Sequence, residues 1–328
     1  MTGRELVFTG PRSVDVRERQ VPEPGPEEVR VSVEQSAISP GTELLVYRNE
    51  VPTDLPTDET IPALEDTFAY PVQYGYATVG TVTAVGSTVD SSWLDRRVFG
   101  FQPHQSHYLA APETLIRTSL PPERALLIPN TEAAVNFVMD GRPRIGTRVT
   151  VFGQGPVGLL TTALLAEFPL DRLVTVDGIE RRRELSRSLG ADRAVDPSSL
   201  DALAEPSDLT IELSGNPAAL EDAIETTGTA GTVVVGSWYG TKPAELDLGG
   251  RFHRSHVRIR SSQVSRLDPD HADRWDKERR LEYVQSWLTA QDLDSLFTHE
   301  FPIERAAEAY QLLDERKDEA IQVALTYH

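Results

Sequence analysis

Three glycines at fixed spacing, Gly153-x-Gly155-x-x-Gly158, and a carboxylate further on, Asp177, are the residues of this chain whose types and order imply a definite chemistry. The first glycine of such a set permits a tight strand-to-helix turn. The second lets backbone approach a bulky anion, and the third lets the helix lie close on the strand. Pro156 and Val157 would open that helix, whose first-turn N–H groups have no intrahelical acceptor and can face a pyrophosphate. Asp177 stands about 20 residues beyond the loop, where a carboxylate can accept hydrogen bonds from ribose hydroxyls. The chemistry is dinucleotide binding.

Such a motif counts only when the elements around it are in register. A β-branched apolar run at 148–152 predicts the strand that feeds the turn, and 159–168 reads as the helix behind it. A second strand at 173–176 delivers Asp177. The alternation continues with helix at 181–189, strand at 209–212, helix at 218–226 and strands at 232–236 and 257–262, preceded by a helix at 131–139. This pattern predicts an α/β, doubly wound parallel sheet with its ligand at the carboxyl ends of the strands. Ser214, Gly215, Val235, Gly236 and Ser237 fall at such ends.

The first part of the chain has a different texture. Short runs at 5–9, 14–19, 29–34, 78–85, 97–101 and 105–109, separated by Pro/Gly turns, predict a β-rich domain. A polar stretch between 48 and 71 suits neither period and is expected to be a functional loop. After 264 come helical segments at 274–288 and 301–313 and a last strand at 321–325. The expected organisation is therefore a first domain over 1–128, a dinucleotide-binding domain over 129–264, and a C-terminal return over 265–328.

Composition narrows the partners. Fifty-one acidic residues against 32 basic ones give a net charge of −19, and only Lys242, Lys277 and Lys317 are lysines. Carboxylates in such excess suit multimolar salt, a halophilic reading; a GC-rich genome acting on an ordinary acidic protein would also favour Arg over Lys. A surface this negative argues against nucleic acid and anionic membrane as partners. Without cysteine there is no thiolate nucleophile and no cysteine-held metal. No apolar run reaches the ~20 residues of a membrane span, and the N-terminus shows no secretory signal pattern, so a cytoplasmic location is expected.

The layout resembles the medium-chain dehydrogenase/reductase superfamily, the zinc alcohol and sorbitol dehydrogenases and their relatives. The likeness covers nearly the whole chain. It rests on the segment from Gly75 to Gly86, on Pro40-Gly41-Thr42-Glu43, on the Gly-Gln-Gly-Pro-Val-Gly loop and on 301–310. The resemblance implies a GroES-like β-rich catalytic domain, a Rossmann domain, hydride transfer with a small-molecule substrate in the cleft between them, and a homodimer. It also implies that Asp177 and Arg182 hold the adenine ribose of NAD. Arg181 and Arg183 leave NADP open. Ser214, Gly215, Val235, Gly236 and Ser237 would line the nicotinamide.

The departures from the family pattern are informative. Where the family has its zinc-binding cysteine and histidine this chain has Pro40 and Tyr76, and the neighbouring acid is Ala77. No zinc is expected. Thr42 matches the family's substrate-side hydroxyl, Glu43 the acid after it, and Leu45 replaces the relay imidazole. Tyr76 is the leading candidate to donate a proton to a carbonyl, with Thr42 and Glu43 beside it in the catalytic set; Glu43 is also suited to orient backbone or an arginine. Glu132 replaces a family threonine near the nicotinamide pocket, where a partly buried acid would titrate unusually; a solvated helix start is the expectation. His104/His107 and His253/His256 read as solvated or capping histidines rather than metal ligands. Tyr239 and His253 are secondary candidates for the pocket. The expected activity is a zinc-independent NAD(P)-dependent oxidoreductase; an NADPH-dependent quinone or enoyl reductase and a non-catalytic NAD-binding sensor or scaffold are the rivals.

Overall fold

In the strand Val29–Ile38 (β3), Val29, Val31 and Val33 are buried while Arg30 and Ser32 between them are half-buried, the period-two signature of a sheet with one wetter face. The computed structural model describes every residue except Glu59, Glu65, Asp66, Ala204 and His328. It divides into two units: Met1–Pro129 with Gln285–His328, and Asn130–Val284. The second unit runs on past Val264 to Val284, through about the first third of the segment expected to belong to the C-terminal return.

In the first unit a hairpin of β1 (Thr2–Gly10) and β2 (Ser13–Gln20) accompanies a seven-stranded sheet. Besides β3 the sheet contains β4 (Thr78–Val85), β5 (Arg97–Gly100), β6 (His107–Ala110), β7 (Leu115–Arg117), β14 (Phe297–Pro302) and β15 (Gln322–Thr326). The order is β14-β15-β3-β4-β5-β7, with β6 also paired to β3. The helices are α1 (Thr42–Arg48), α2 (Pro122–Ala125) and α9 (Ala306–Glu315). The C-terminal segment completes this unit: β15 pairs antiparallel with β3, Leu325 opposite Ser36, and Tyr310 of α9 stacks on Tyr47 and meets Phe8 edge-on, each at 5.3 Å. Residues 301–313, expected as one helix, begin instead as the end of β14. A proline biases the residue before it toward extended backbone, so Phe301 stays in the strand and the helix starts only after Pro302.

The second unit is a parallel six-stranded sheet in the order β10-β9-β8-β11-β12-β13. Its strands are β8 (Arg148–Phe152), β9 (Arg172–Val176), β10 (Arg193–Val195), β11 (Ser207–Glu212), β12 (Thr227–Val235) and β13 (Arg258–Ser261). Central strands are buried on both faces, as helix-covered parallel sheets require: Val149, Val151 and Phe152 are each within 2% of full burial. The accompanying helices are α3 (Ile128–Gly141), α4 (Pro156–Leu165), α5 (Glu180–Ser188), α6 (Ala218–Thr226), α7 (Pro269–Ala272) and α8 (Lys277–Ala290), of which α3 and α8 cross the unit boundaries. Strand order reverses between β8 and β11, the switch point where open α/β sheets take their ligands.

Among the described residues no helix is long and apolar enough to cross a membrane.

Candidate active site

The turn after β8 is built as the glycine spacing predicts. Gly153 has φ +84°, and a side chain there would strike Ser214 and Leu213 in the loop after β11. A Cβ on Gly158 would collide with the Gly153 carbonyl. Gly155, by contrast, meets nothing within 4 Å, so backbone at the N-terminus of α4 is open to a ligand. Gln154 turns inward, fully buried, with its amide bonded to Gly153 O at 3.0 Å and its Oε1 accepting from Thr162. It buttresses the loop from below, a role its variable place in the motif did not announce.

Asp177 reaches the same loop. Its carboxylate accepts from the Gln154 N–H at 2.7 Å and from the Ile179 N–H at 2.8 Å, and Arg182 lies 4.0 Å away. Arg183 is occupied otherwise: it donates to Asp177 O and Asp196 and pairs with Glu180. Arg181 is exposed.

At the ends of β11 and β12 a residue missed in the sequence holds the candidate lining together. Glu212, fully buried, accepts from the Ser214 N–H at 2.7 Å, from the Ser214 hydroxyl and from Tyr239 at 2.5 Å. Its backbone carbonyl receives the N–H groups of Gly236 and Ser237. Ser237 accepts from the Gly215 N–H at 2.9 Å, and Lys242 donates to Gly215 O at 2.7 Å. Val235 closes β12 beside them. Burial, and then the Glu212 charge, push the Tyr239 phenol far above its ordinary range, so it stays a donor. The available signal for Glu212 was a carboxylate at the carboxyl end of a strand of the parallel sheet, next to the candidate lining. His253 is exposed and takes no part.

In the first unit the structure brings Tyr76 and Thr42 together. The Tyr76 hydroxyl donates to Ser39 Oγ at 2.7 Å and lies 3.4 Å from Thr42 Oγ1. Burial raises the Tyr76 pKa, opposed by hydrogen bonds from Ser39 and Thr42. Glu43 does not present itself to a substrate: it is fully enclosed, bonded to the Ser39 N–H at 2.8 Å, to His104 Nε2 at 2.9 Å and to the Tyr310 hydroxyl. In this arrangement it orients backbone, the other role the sequence offered for it. His104, expected in solvent or at a cap, is buried too, with Nδ1 on Ser36 Oγ at 2.7 Å. Glu132 likewise is not at a solvated helix start but buried beside Arg280, 2.7 Å away. Both corrections share a cause: a buried polar or charged group is tolerated when a partner waits, and a partner distant in sequence cannot be read from the residue's own neighbours.

Zinc does not fit here. Pro40, Tyr76 and Ala77 offer neither thiolate nor imidazole, and both ring nitrogens of the nearby His104 are already engaged. Among the described residues no group of three His, Cys, Asp or Glu could hold a metal.

Solved structures agree with this architecture. One, a short chain alcohol dehydrogenase (rspB) from Escherichia coli CFT073 complexed with NADH, superposes with a TM-score of 0.79 over 99% of both chains at 20% identity. The fold is that of the medium-chain dehydrogenases. By sequence, residues 156–277 match the family described as zinc-binding dehydrogenase. The chain is similar along 99% of its length to two Escherichia coli K12 proteins. These are starvation-sensing protein RspB, 23% identical over 99% of that protein, and D-guloside 3-dehydrogenase, 24% identical over all of it.

Proposed function

We propose that this chain is a zinc-independent, NAD-preferring oxidoreductase that interconverts a small-molecule alcohol and its carbonyl. The observation that carries the reading is the open backbone at Gly155 flanked by Asp177. Gly153, Gly155, Pro156, Val157 and Gly158 would hold the pyrophosphate, Asp177 and Arg182 the adenine ribose. Ser214, Gly215, Val235, Gly236 and Ser237 would hold the nicotinamide end. The Asp177 carboxylate repels a 2′-phosphate, and Arg183 is already committed to Asp177 O, Asp196 and Glu180, which favours NAD over NADP.

When bound, the nicotinamide supplies the hydride donor or acceptor. The rest is proton management by the first unit. In this reading a hydrogen-bond donor takes over the polarisation of the substrate oxygen, and the Tyr76 hydroxyl with Thr42 alongside supports it. Its raised pKa keeps it protonated near neutrality, suiting a general acid toward a developing alkoxide. A cytoplasmic, salt-adapted homodimer joined at the edge strand β13 fits the charge and the sheet order.

The test is direct. Purified protein in about 2 M KCl, where charge repulsion is screened, is titrated with NAD and NADP, analysed for zinc, and assayed on alcohols, aldehydes, quinones and enoyl thioesters. Tighter NAD binding, no stoichiometric zinc and alcohol–carbonyl turnover are expected. Turnover confined to quinones or enoyl thioesters with NADPH would transfer the protein to that rival class. Cofactor binding without turnover on any substrate would make it a sensor.

A further inference from the structure

The half-buried hydroxyls Ser39, Thr42 and Tyr76 sit directly above a fully enclosed polar chain. That chain runs from Tyr310 through Glu43 and His104 to Ser36 and Tyr327 by successive hydrogen bonds. It touches the hydroxyl cluster at two points. Glu43 Oε1 accepts the Ser39 N–H, and the Glu43 N–H donates back to Ser39 O at 3.1 Å, so Ser39 is clamped through its backbone. The His104 ring lies so close under Gly75, whose φ is +113°, that a Cβ there would stand 2.6 Å from it. Gly75 carries Tyr76. One buried carboxylate–imidazole pair thus sets both the donor and the acceptor of the Tyr76–Ser39 hydrogen bond.

Ser39 has a second peculiarity. It lies two residues before Gly41, the N-cap of α1, and its hydroxyl caps no helix N–H; α1 has no side-chain cap. The hydroxyl is spent on Tyr76 instead. Unlike the enclosed groups beneath it, Ser39 retains contact with solvent.

We propose that Ser39 is a further residue of the proton path, passing protons between Tyr76 and solvent. The proposal rests on the dehydrogenase reading above. In carbonyl reduction the substrate carbon gains the hydride and its oxygen takes the Tyr76 proton. The Ser39 O–H bond then breaks as its proton restores the Tyr76 hydroxyl, and water returns a proton to Ser39. Alcohol oxidation runs the same transfers backwards. Glu43 and His104 touch neither substrate nor cofactor and act as positioning residues.

The experiment has two readouts on the full chain. The first needs no substrate: the Tyr76 phenol is titrated by NMR with tyrosine labelled at Cζ, the resonance being assigned by its loss in Tyr76→Phe. The other titratable groups that act on Tyr76 are Glu43, Asp58 and Tyr74. Ser39→Ala removes the hydroxyl that stabilises the phenolate, so the Tyr76 midpoint is expected to rise by about one pH unit. Ser39→Thr is expected to restore it. The second readout is turnover. Ser39→Ala is expected to lower kcat on the order of 10²-fold, to enlarge the solvent deuterium isotope effect, and to leave the cofactor Kd unchanged. An unshifted Tyr76 midpoint or an unchanged isotope effect in Ser39→Ala would overturn the proposal. Failure of the dehydrogenase reading would look different: the wild-type protein itself would show no alcohol–carbonyl turnover, whether or not it bound dinucleotide.

Discussion

Tyr76 is the residue on which the proposed chemistry depends most. Tyr76→Phe removes one oxygen from a site whose packing is otherwise kept, so kcat should fall on the order of 10²-fold with little change in cofactor affinity. Steady-state kinetics beside a fluorescence titration with NADH would check this, and unchanged turnover would dismiss Tyr76 as donor. Asp177→Ser should raise the preference for NADP over NAD by about tenfold, equivalent to ~1.4 kcal/mol, measured as a ratio of kcat/KM values. Asp314 offers a pH test. Burial pushes its pKa up, but hydrogen bonds from Arg48 at 2.5 Å and Arg12 at 2.9 Å outweigh that and hold it below the usual carboxylate value. A depressed folded pKa gives stability that is complete above the unfolded value, about 3.9, and is lost as pH falls through the folded one. Asp314→Asn should therefore lower Tm at pH 7, and the difference from wild type should shrink as the pH drops below about 4. At this scale the sequence was readable where a residue answers to its neighbours in the chain, as Gly153 and Gly158 do. It was unreadable at Glu43 and His104, which are 61 positions apart and explain each other only in space.

Elements followed their local patterns closely. The strands β4 and β8 and the helix α6 have the boundaries their periodicity predicts, because each is framed by its own turn residues. The short β7 and β10 carried too few residues for a period and were not anticipated. What pins α8 in place was also hidden. Arg280, almost wholly buried, bonds through two nitrogens to Glu132 of α3 and donates also to Asn136 and the Val264 carbonyl. Removing one partner of such a pair leaves an uncompensated buried charge, so Arg280→Ala should destabilise the second unit by about 3–5 kcal/mol. A double change to Glu132→Leu with Arg280→Met should recover most of that loss in urea denaturation. A double variant no more stable than Arg280→Ala would show that the pair does not act through charge.

For the whole molecule the governing quantity is a net charge of −19. The Debye length shrinks from ~10 Å at 0.1 M salt to ~3 Å at 1 M, so self-repulsion among exposed carboxylates should fade as KCl is raised. A Tm that climbs steadily over that range, by differential scanning calorimetry, is the expected outcome; a flat profile would remove salt adaptation as the reason for the acidic surface. Charge, lysine scarcity, strand and helix order, the glycine loop and the absence of zinc-binding side chains at 40, 76 and 77 were all decided by the sequence alone. Each depends on residue type or on spacing within one or two elements, which the linear chain records directly. Tertiary structure alone decided that Glu43 would be enclosed rather than reactive, that His104 would lie beneath Gly75, and that Ser39 would hold the Tyr76 hydroxyl. Those facts depend on which strands become neighbours and on where burial forces polar groups to find partners. The glycine loop was legible because its shape is local backbone geometry, whereas the hydrogen bonds around Tyr76 were not, because they are assembled from segments that meet only on folding.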